Sequence, residues 1–355
     1  MDISEITINV LKVFSLGTAG FLLAFFLTPA LTHFLYKYKF WRKEVRTKSL
    51  DGKAVPIFQK FHAKGETQVP RAGGVLIWLT PLILIFFFFF LSQLTDIKLL
   101  DKLNFLSRNQ TWLPLFTLVA ASLLGLVDDV LQVVGKGKYI AGGLSLKKRL
   151  LVIALIGLIG ALWFYFKLDW STLHIPGLGD WEIDGWYIPL FVLVMLAVYS
   201  GGVIDGLDGL AGGAFAAIFG AFSGIALFLG QVDIASFCAV ILGALLAFLW
   251  FNIPPARFYM GETGMMGLCA TLTVVAFLTD SVLVLPVIGF LLVMESGSVI
   301  LQLLSKRFRG KKIFLASPIH HHFEARGWPH YKVTMRFWII GGVTAIVGIA
   351  IRLLG

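Results

Sequence analysis

The amino-acid sequence predicts an all-α membrane protein, a bundle of about ten transmembrane helices that forms one domain over residues 1–355. Two observations carry this prediction. The mean hydropathy is +0.86 and only 14% of the residues are charged, whereas about 25% is usual in soluble domains. The apolar residues also form continuous runs, each close to the roughly 17–25 residues that a helix needs to cross a bilayer. Strands of a membrane barrel would alternate apolar and polar residues instead.

Ten apolar runs are predicted to be transmembrane helices. They lie at Val13–Leu35, Gly73–Leu91, Trp112–Val127, Leu150–Phe166, Ile188–Ile204, Leu210–Leu229, Ile234–Phe251, Met265–Leu278, Val282–Leu304 and Phe337–Leu354. The first run is long and no small-residue cleavage pattern follows it, so we interpret it as a retained helix. Cys238 and Cys269 lie inside apolar runs and are predicted to be buried core residues.

The positive charge is distributed unevenly along the chain. Most of the 30 lysines and arginines lie in the loops that follow the first, third, seventh and ninth runs. The positive-inside rule places these loops in the cytoplasm and both termini outside. The net charge of +10 is explained mainly by topology and by anionic lipid head groups. No nucleic-acid-binding motif accompanies it, so nucleic acid is not an expected partner.

Carboxylates stand at the ends of several predicted spans on this same side. Asp128 and Asp129 end the third span, and adjacent carboxylates repel each other unless a cation or base neutralises them. For this pair alone, a solvated helix end is an alternative interpretation. Asp205 and Asp208 occur in Asp-Gly-Leu-Asp-Gly. Their spacing of three predicts that they share the face of a helical turn, and the glycines allow a ligand to approach the backbone.

Two more polar groups are predicted to join these carboxylates. Asn252 and Glu262 lie between the seventh and eighth spans, and glycines bracket Glu262. His320, His321 and His322 follow the ninth span and are three of the seven histidines. Hard oxygen ligands on one face suit Mg²⁺, which typically uses one or two carboxylates together with substrate phosphates. These groups predict metal-assisted phosphoryl transfer in an active site on the cytoplasmic face.

The sequence resembles the polyprenyl-phosphate N-acetylhexosamine-1-phosphate transferase superfamily, and within it the phospho-N-acetylmuramoyl-pentapeptide transferase branch. The resemblance covers nearly the whole chain. Its most specific segment is Pro318–Glu324, followed by Gly327-Trp328 and Arg336–Trp338. The other matching segments are Gly73-Gly74, Asp128-Asp129, Asp205–Leu210 and Phe251-Asn252.

The resemblance implies a function in peptidoglycan synthesis. Members of this branch transfer phospho-MurNAc-pentapeptide from UDP-MurNAc-pentapeptide to undecaprenyl phosphate in the bacterial plasma membrane. The products are lipid I and UMP, and Mg²⁺ is required. The expected partners are therefore this nucleotide donor, the lipid acceptor and the surrounding membrane lipids. A homodimer stays open as a hypothesis.

The resemblance also implies roles for particular residues. The expected catalytic residues are Asp128, Asp129, Glu262 and His320, with Glu262, Asp205 and Asp208 holding Mg²⁺. Either Asp128 or Asp129 would orient the lipid phosphate or remove its proton. The expected substrate-binding residues are Asp205, Asp208, Asn252, Tyr259, Lys147, Arg149, His321 and His322. Among these, Lys147 and Arg149 would balance phosphate charge, and Tyr259 would stack on uracil.

The chain departs from the pattern of this branch at four places. Glu262 stands where the family usually has Asp, Gly202 where it has Asn, and Gln132 where it has Lys. Pro70-Arg71 is closer to the WecA- and TagO-like relatives, which keeps a UDP-GlcNAc donor as an alternative.

Two alternatives belong to other functional classes. One is a secondary transporter, although only Glu295 lies well inside a span, where we interpret it as a helix-packing hydrogen-bonding group. The other is a non-catalytic homologue.

Overall fold

The computed structural model describes residues 3–45, 65–108, 110–136 and 142–355. Six of the basic residues behind the orientation prediction lie outside this part of the chain: Arg46, Lys48, Lys53, Lys60, Lys64 and Lys138.

The first helices are α1 (Ile3–Lys37), α2 (Val75–Leu94), α3 (Lys98–Leu103), α4 (Trp112–Val134) and α5 (Leu146–Lys167). A hairpin of β1 (Thr172–Ile175) and β2 (Gly179–Glu182) follows, and 3-10 helices cover Asp184–Trp186 and Gly201–Ile204. The remaining helices are α6 (Tyr187–Ser200), α7 (Leu210–Phe228), α8 (Val232–Asn252), α9 (Gly261–Leu278), α10 (Leu285–Ile288), α11 (Phe290–Arg309), α12 (Ile319–Ala325) and α13 (His330–Leu354).

The predicted all-α membrane architecture is confirmed. Within the described residues, nine helical segments are long and apolar enough to cross a bilayer. The predicted ninth span, Val282–Leu304, is instead divided at Gly289 into the short α10 and the longer α11. The inner face of α11 carries the buried polar residues Glu295, Ser298 and Gln302, so this segment is less apolar than a simple span.

α9 occupies the centre of the bundle, and nearly all its residues are buried. α7 and α8 are also mostly buried, whereas α1 and α13 lie at the periphery. Small residues let neighbouring helices approach closely, as is common in membranes. A Cβ atom on Gly243 of α8 would lie 2.1 Å from the Gly17 carbonyl oxygen of α1. Cys238 and Cys269 are buried free thiols, as predicted.

The β-hairpin was not anticipated from the apolar runs. It joins α5 to α6 at the end of the bundle opposite to the candidate carboxylates, and its two strands pair antiparallel with Thr172 opposite Glu182. The Gly177 N–H donates to the Gly355 carbonyl at 3.2 Å, which ties the hairpin to the end of α13. The candidate carboxylates and the Asp-Gly segment lie at the other end. Asp128 and Glu262 meet there because α4 and α9 run in opposite directions, so that the last turns of α4 lie beside the first turn of α9.

Candidate active site

Asp129 joins α4 to the first turn of α9. Its Oδ1 accepts a hydrogen bond from the Glu262 N–H at 3.1 Å, and its Oδ2 accepts one from the Thr263 N–H at 3.0 Å. The first N–H groups of a helix lack partners within that helix, so the buried Asp129 carboxylate caps α9 from a neighbouring helix. Gly261 is required here, because its φ is +73° and a Cβ would lie 2.4 Å from Asp129 Oδ2. The cap fixes the position of Glu262.

Asp128 is buried beside Asp129 but has different partners. Arg149 Nη2 lies 2.8 Å from its Oδ2, and Gln132 Nε2 donates to the same oxygen at 2.6 Å. The Leu144 N–H donates to Oδ1. Arg149 Nη1 also binds Glu262 Oε1, so one guanidinium lies between two carboxylates. The positive charge of Arg149, which the resemblance assigns to substrate phosphate, is balanced here by Asp128 and Glu262.

A chain of buried polar groups continues outward from Asp128. Gln132 Oε1 accepts hydrogen bonds from Arg42 Nε at 3.0 Å and from Arg42 Nη2. Arg42 also forms a buried ion pair with Glu66. Charges of opposite sign therefore alternate from Glu66 to Glu262, with the neutral Gln132 amide in the middle. A buried network is stable only when its members are satisfied, so these residues hold one another in position.

The Asp-Gly segment has a different geometry from the one predicted. The expected helical turn through Asp205 and Asp208 is wrong. The 3-10 helix ends at Ile204 and α7 begins at Leu210, so both aspartates lie in the turns between them. Gly209 has a φ of +76°, a conformation that favours glycine and interrupts regular helix.

Both aspartates of this segment face the loop that leads into α9. Asp208 Oδ2 accepts a hydrogen bond from the Ala256 N–H at 3.0 Å, and Asp205 accepts one from the Gly261 N–H. Burial raises the pKa of Asp205 to about 6, against the opposing effect of the positive Arg71 side chain. The Asp-Gly segment is thus brought against the loop that carries Glu262.

Asn252 connects backbone segments at this place. Its Oδ1 accepts from the Gly209 N–H at 3.0 Å, and its Nδ2 donates to the Phe258 carbonyl at 2.7 Å. Trp338 Nε1 donates to the Gly209 carbonyl at 3.0 Å, which ties α13 to the same turn. The amide of Asn252, predicted to bind substrate, is buried and uses its oxygen and one donor within the protein.

The three consecutive histidines have three different environments. His320 is completely buried, and its Nδ1 lies 2.9 Å from Glu295 Oε2 of α11. A Cβ on Gly206 would lie 2.3 Å from His320 Nε2, so this nitrogen faces the Asp-Gly backbone. His320 therefore contacts the site through Gly206, and Glu295 is a hydrogen-bonding group as interpreted from the sequence.

His321 and His322 are closer to solvent. His321 Nδ1 lies 2.5 Å from Glu324 Oε2, and Glu324 also pairs with His330. His322 Nδ1 accepts a hydrogen bond from the Leu315 N–H at 3.1 Å. Burial, with a contribution from Arg326, lowers the pKa of His322. His322 is thus favoured in its neutral form, with Nε2 left to act as a donor.

Two predicted substrate-binding residues lie at the edge of the cluster. Lys147 is exposed in the first turn of α5, away from the buried face that carries Arg149. Tyr259 is partly buried, and its N–H donates to the Pro70 carbonyl at 2.8 Å. Burial raises the pKa of the Tyr259 hydroxyl, which stays protonated.

The carboxylates supply oxygen atoms of the kind that magnesium prefers. No group of three His, Cys, Asp or Glu side chains forms a ready metal site among the described residues. Glu262 Oε2 makes only a long hydrogen bond, at 3.4 Å from the Tyr199 hydroxyl, and its side chain is 21% exposed. Asp205 is near enough to interact electrostatically with Glu262 and Asp208. Such a set fits Mg²⁺ that takes its other ligands from substrate phosphates and water.

Several residues of the cluster were not predicted as site residues from the sequence. Gln132 follows Asp128 by four positions on α4, a spacing that places both on one helical face, so a local signal existed. Arg42 and Glu66 gave no such signal, because Arg42 lies 90 residues from Gln132 and 24 residues from Glu66 in the sequence.

Comparisons with known proteins identify the class to which the chain belongs. The family described as Glycosyl transferase family 4 matches residues 111–280, which run from the start of α4 to the end of α9 and include all five candidate carboxylates. The fold and this match define the class as a multi-spanning membrane transferase.

Individual relatives define the family. The phospho-N-acetylmuramoyl-pentapeptide-transferase of Geobacillus thermodenitrificans is 36% identical over 94% of this chain and 95% of its own length. That of Bacillus subtilis is also 36% identical, with the same coverage. The enzyme of Levilactobacillus brevis is 40% identical over 67% of this chain and 73% of its own length. The chain belongs to the phospho-N-acetylmuramoyl-pentapeptide-transferase family.

Proposed function

We propose that this protein transfers phospho-MurNAc-pentapeptide from UDP-MurNAc-pentapeptide to undecaprenyl phosphate, with Mg²⁺, at the cytoplasmic face of the plasma membrane. The observation that carries the proposal is the pair of ion pairs by which Arg149 joins Asp128 to Glu262. They lie next to the Asp-Gly segment at one end of a membrane bundle. A lipid acceptor requires this location, since its polyprenyl chain stays in the bilayer while its phosphate reaches water. The family membership supports this donor and acceptor.

The reaction exchanges one pyrophosphate linkage for another. An oxygen of the lipid phosphate attacks the phosphorus attached to the sugar, and the bond from that phosphorus to the UMP oxygen breaks. UMP leaves with the electron pair. The second pKa of a phosphate monoester is about 6, so the attacking oxygen is largely ionised near neutral pH. The protein therefore needs chiefly to position the two phosphates and neutralise their charge.

The candidate residues have different roles in positioning the phosphates and neutralising their charge. Glu262 and Asp205, assisted by Asp208, would hold Mg²⁺, which when bound neutralises phosphate charge during transfer. Asp129 positions Glu262 by capping α9. Asp128 orients the Arg149 guanidinium, which in turn holds one Glu262 oxygen and would leave Oε2, which makes only a long contact with the Tyr199 hydroxyl, for Mg²⁺.

A turnover assay tests the donor and the metal. Purified protein in detergent is incubated with undecaprenyl phosphate and either UDP-MurNAc-pentapeptide or UDP-GlcNAc, with and without Mg²⁺, and UMP is measured. We expect UMP from the muramoyl-pentapeptide donor in the presence of Mg²⁺ only. Faster release from UDP-GlcNAc would overturn the assignment, and release that does not depend on a divalent cation would overturn the role of Mg²⁺.

A further inference from the structure

Arg71 lies in a segment whose backbone is held against the start of α9. The Arg71 N–H donates to the Phe40 carbonyl at 2.8 Å, and the Tyr259 N–H donates to the Pro70 carbonyl at 2.8 Å. The Gly73 N–H in turn donates a hydrogen bond to the Tyr259 carbonyl at 2.8 Å. These bonds on both sides of Arg71 fix its Cα beside the carboxylate cluster.

The side chain of Arg71 lies beside the carboxylate cluster but is weakly bound there. Its Nε is 3.7 Å from Asp129 Oδ1, too long for a hydrogen bond, and this nitrogen is buried without a hydrogen-bond partner. Within the described residues its guanidinium donates no hydrogen bond. Asp205 and Tyr259 both lie within its electrostatic influence. A buried donor without an acceptor is unfavourable, so this arrangement favours an incoming anion.

Arg149 provides the internal comparison. Its Nη1 binds Glu262, its Nη2 binds Asp128 at 2.8 Å, and its Nε donates to the Leu144 carbonyl at 3.2 Å. Each nitrogen of that guanidinium therefore has a protein acceptor. Of these two arginines, only Arg71 has a guanidinium that donates no hydrogen bond within the described residues.

We propose that Arg71 is a phosphate-binding residue of this site, whose guanidinium binds phosphoryl oxygens of the substrates. A guanidinium presents parallel N–H donors that match the oxygens of a phosphate. The proposal rests on the proposed function and identifies the residue that receives the phosphate charge. The phosphoryl group has two sources, the diphosphate of the nucleotide donor and the monophosphate of the lipid acceptor.

Measurements of ligand binding test the role of Arg71 independently of turnover. The purified full-length protein, with Mg²⁺, is titrated calorimetrically with UDP, UMP and uridine. We expect Arg71→Met to weaken UDP binding by about 10- to 100-fold, as for loss of a charge-assisted hydrogen bond, and to leave uridine binding unchanged. Arg71→Lys keeps the charge but not the planar guanidinium, and should lose less UDP affinity than Arg71→Met. Arg257→Met removes an equal charge from an exposed position on the neighbouring loop, and should bind UDP as the wild type does.

Steady-state kinetics assigns the source of the phosphate. A raised KM for the nucleotide donor, together with the loss of UDP affinity, assigns Arg71 to the diphosphate. A raised KM for undecaprenyl phosphate with unchanged UDP affinity assigns it to the lipid phosphate. Arg71→Met with wild-type UDP affinity and wild-type KM for both substrates overturns the proposal. An equal loss of uridine and UDP binding also overturns it, because that result indicates a structural role.

The two proposals fail in different ways. If the wild type releases no UMP with any UDP-sugar, the proposed function is wrong, yet the comparison of UDP with uridine still decides whether Arg71 binds a nucleotide diphosphate. Elution volume and apparent unfolding temperature of each variant show whether it folds. Arg71→Lys that folds normally and still loses UDP binding selectively supports the proposal even if Arg71→Met is unstable.

Discussion

Replacing Gly125 with alanine should displace the catalytic end of α9. Gly125 lies in α4 where its backbone meets the beginning of α9. A Cβ at this position would lie 2.2 Å from the Glu262 carbonyl oxygen, 2.5 Å from the Glu262 carbonyl carbon and 2.7 Å from Thr263 Cα. All three are backbone atoms, so no side-chain rotation can relieve the overlap. The two helices must therefore move apart.

The size of the effect follows from these distances. Non-bonded carbon and oxygen atoms need roughly 3.5 Å, so the first turn of α9 has to shift by about 1 Å. Overpacking of this kind costs about 1–3 kcal/mol of stability. A displacement of about 1 Å at a site of chemistry costs about 100-fold in rate. Because Glu262 is attached to the displaced backbone, both losses should occur together in Gly125→Ala.

The assay is UMP release by the purified variant, with its apparent unfolding temperature in detergent measured in parallel. Gly224→Ala is the matched control, because it lies in the membrane helix α7 and a Cβ there meets nothing within 4 Å. That change should stabilise by about 0.5–1 kcal/mol and leave turnover unchanged. Wild-type turnover and stability in Gly125→Ala would show that the close approach of α4 and α9 does not position Glu262.

Three further outcomes are expected from the geometry. Glu262→Gln removes a charge that Arg149 binds and that the proposed Mg²⁺ would share, so UMP release should fall by about 100-fold or more at every Mg²⁺ concentration, whereas Glu262→Asp should keep substantial turnover. Gln132→Met severs the buried hydrogen bonds to Asp128 and from Arg42, and should lower the free energy of unfolding by about 1–3 kcal/mol together with turnover. At the opposite end of the bundle, burial raises the pKa of Asp280 to about 6. Folding therefore favours the protonated carboxyl group, and the wild type loses stability relative to Asp280→Asn as the pH rises from about 4 to about 6.

Each of these expectations has a clear contrary result. Glu262→Gln with wild-type turnover and Mg²⁺ dependence would move the metal assignment to the aspartates. Gln132→Met should be compared with Lys12→Met, which removes an ion pair with Asp233 remote from the site. If Lys12→Met lowers turnover as much as Gln132→Met, the network around Asp128 has no special role. A difference in unfolding temperature between wild type and Asp280→Asn that is constant from pH 4 to pH 8 would show that Asp280 does not titrate in this range.

The sequence predicted the parts of the fold that the membrane dictates. A segment in lipid must satisfy its backbone hydrogen bonds internally, so long apolar runs could be interpreted as helices without tertiary information. The same argument placed Asp128, Asp129 and Glu262 at span ends. Their exact contacts could not be predicted, because Asp129 binds the backbone of a helix more than 130 residues later in the chain.

The errors came from breaks in periodic structure. A spacing of three predicts a shared face only within continuous helix, and the glycines beside Asp205 and Asp208 end the helix there. The run Val282–Leu304 looked continuous because apolar residues flank Gly289 on both sides, yet α10 ends at that residue. The Arg42–Glu66 pair was missed because both partners look like ordinary loop charges until the fold buries them.

The close packing of α4 on α9 has a mechanical consequence. Gly125, Thr263 and the Asp129 cap lock these two helices into one block that carries Glu262. The histidines belong to a second block, because Glu295 and Gln302 tie α12 and its preceding loop to α11. Glu262 and the histidines are therefore positioned by different pairs of helices, and the two pairs meet where His320 Nε2 lies against Gly206. A side chain added at Gly206 should push His320 away from the Asp-Gly backbone and so change which substrates or inhibitors the site admits.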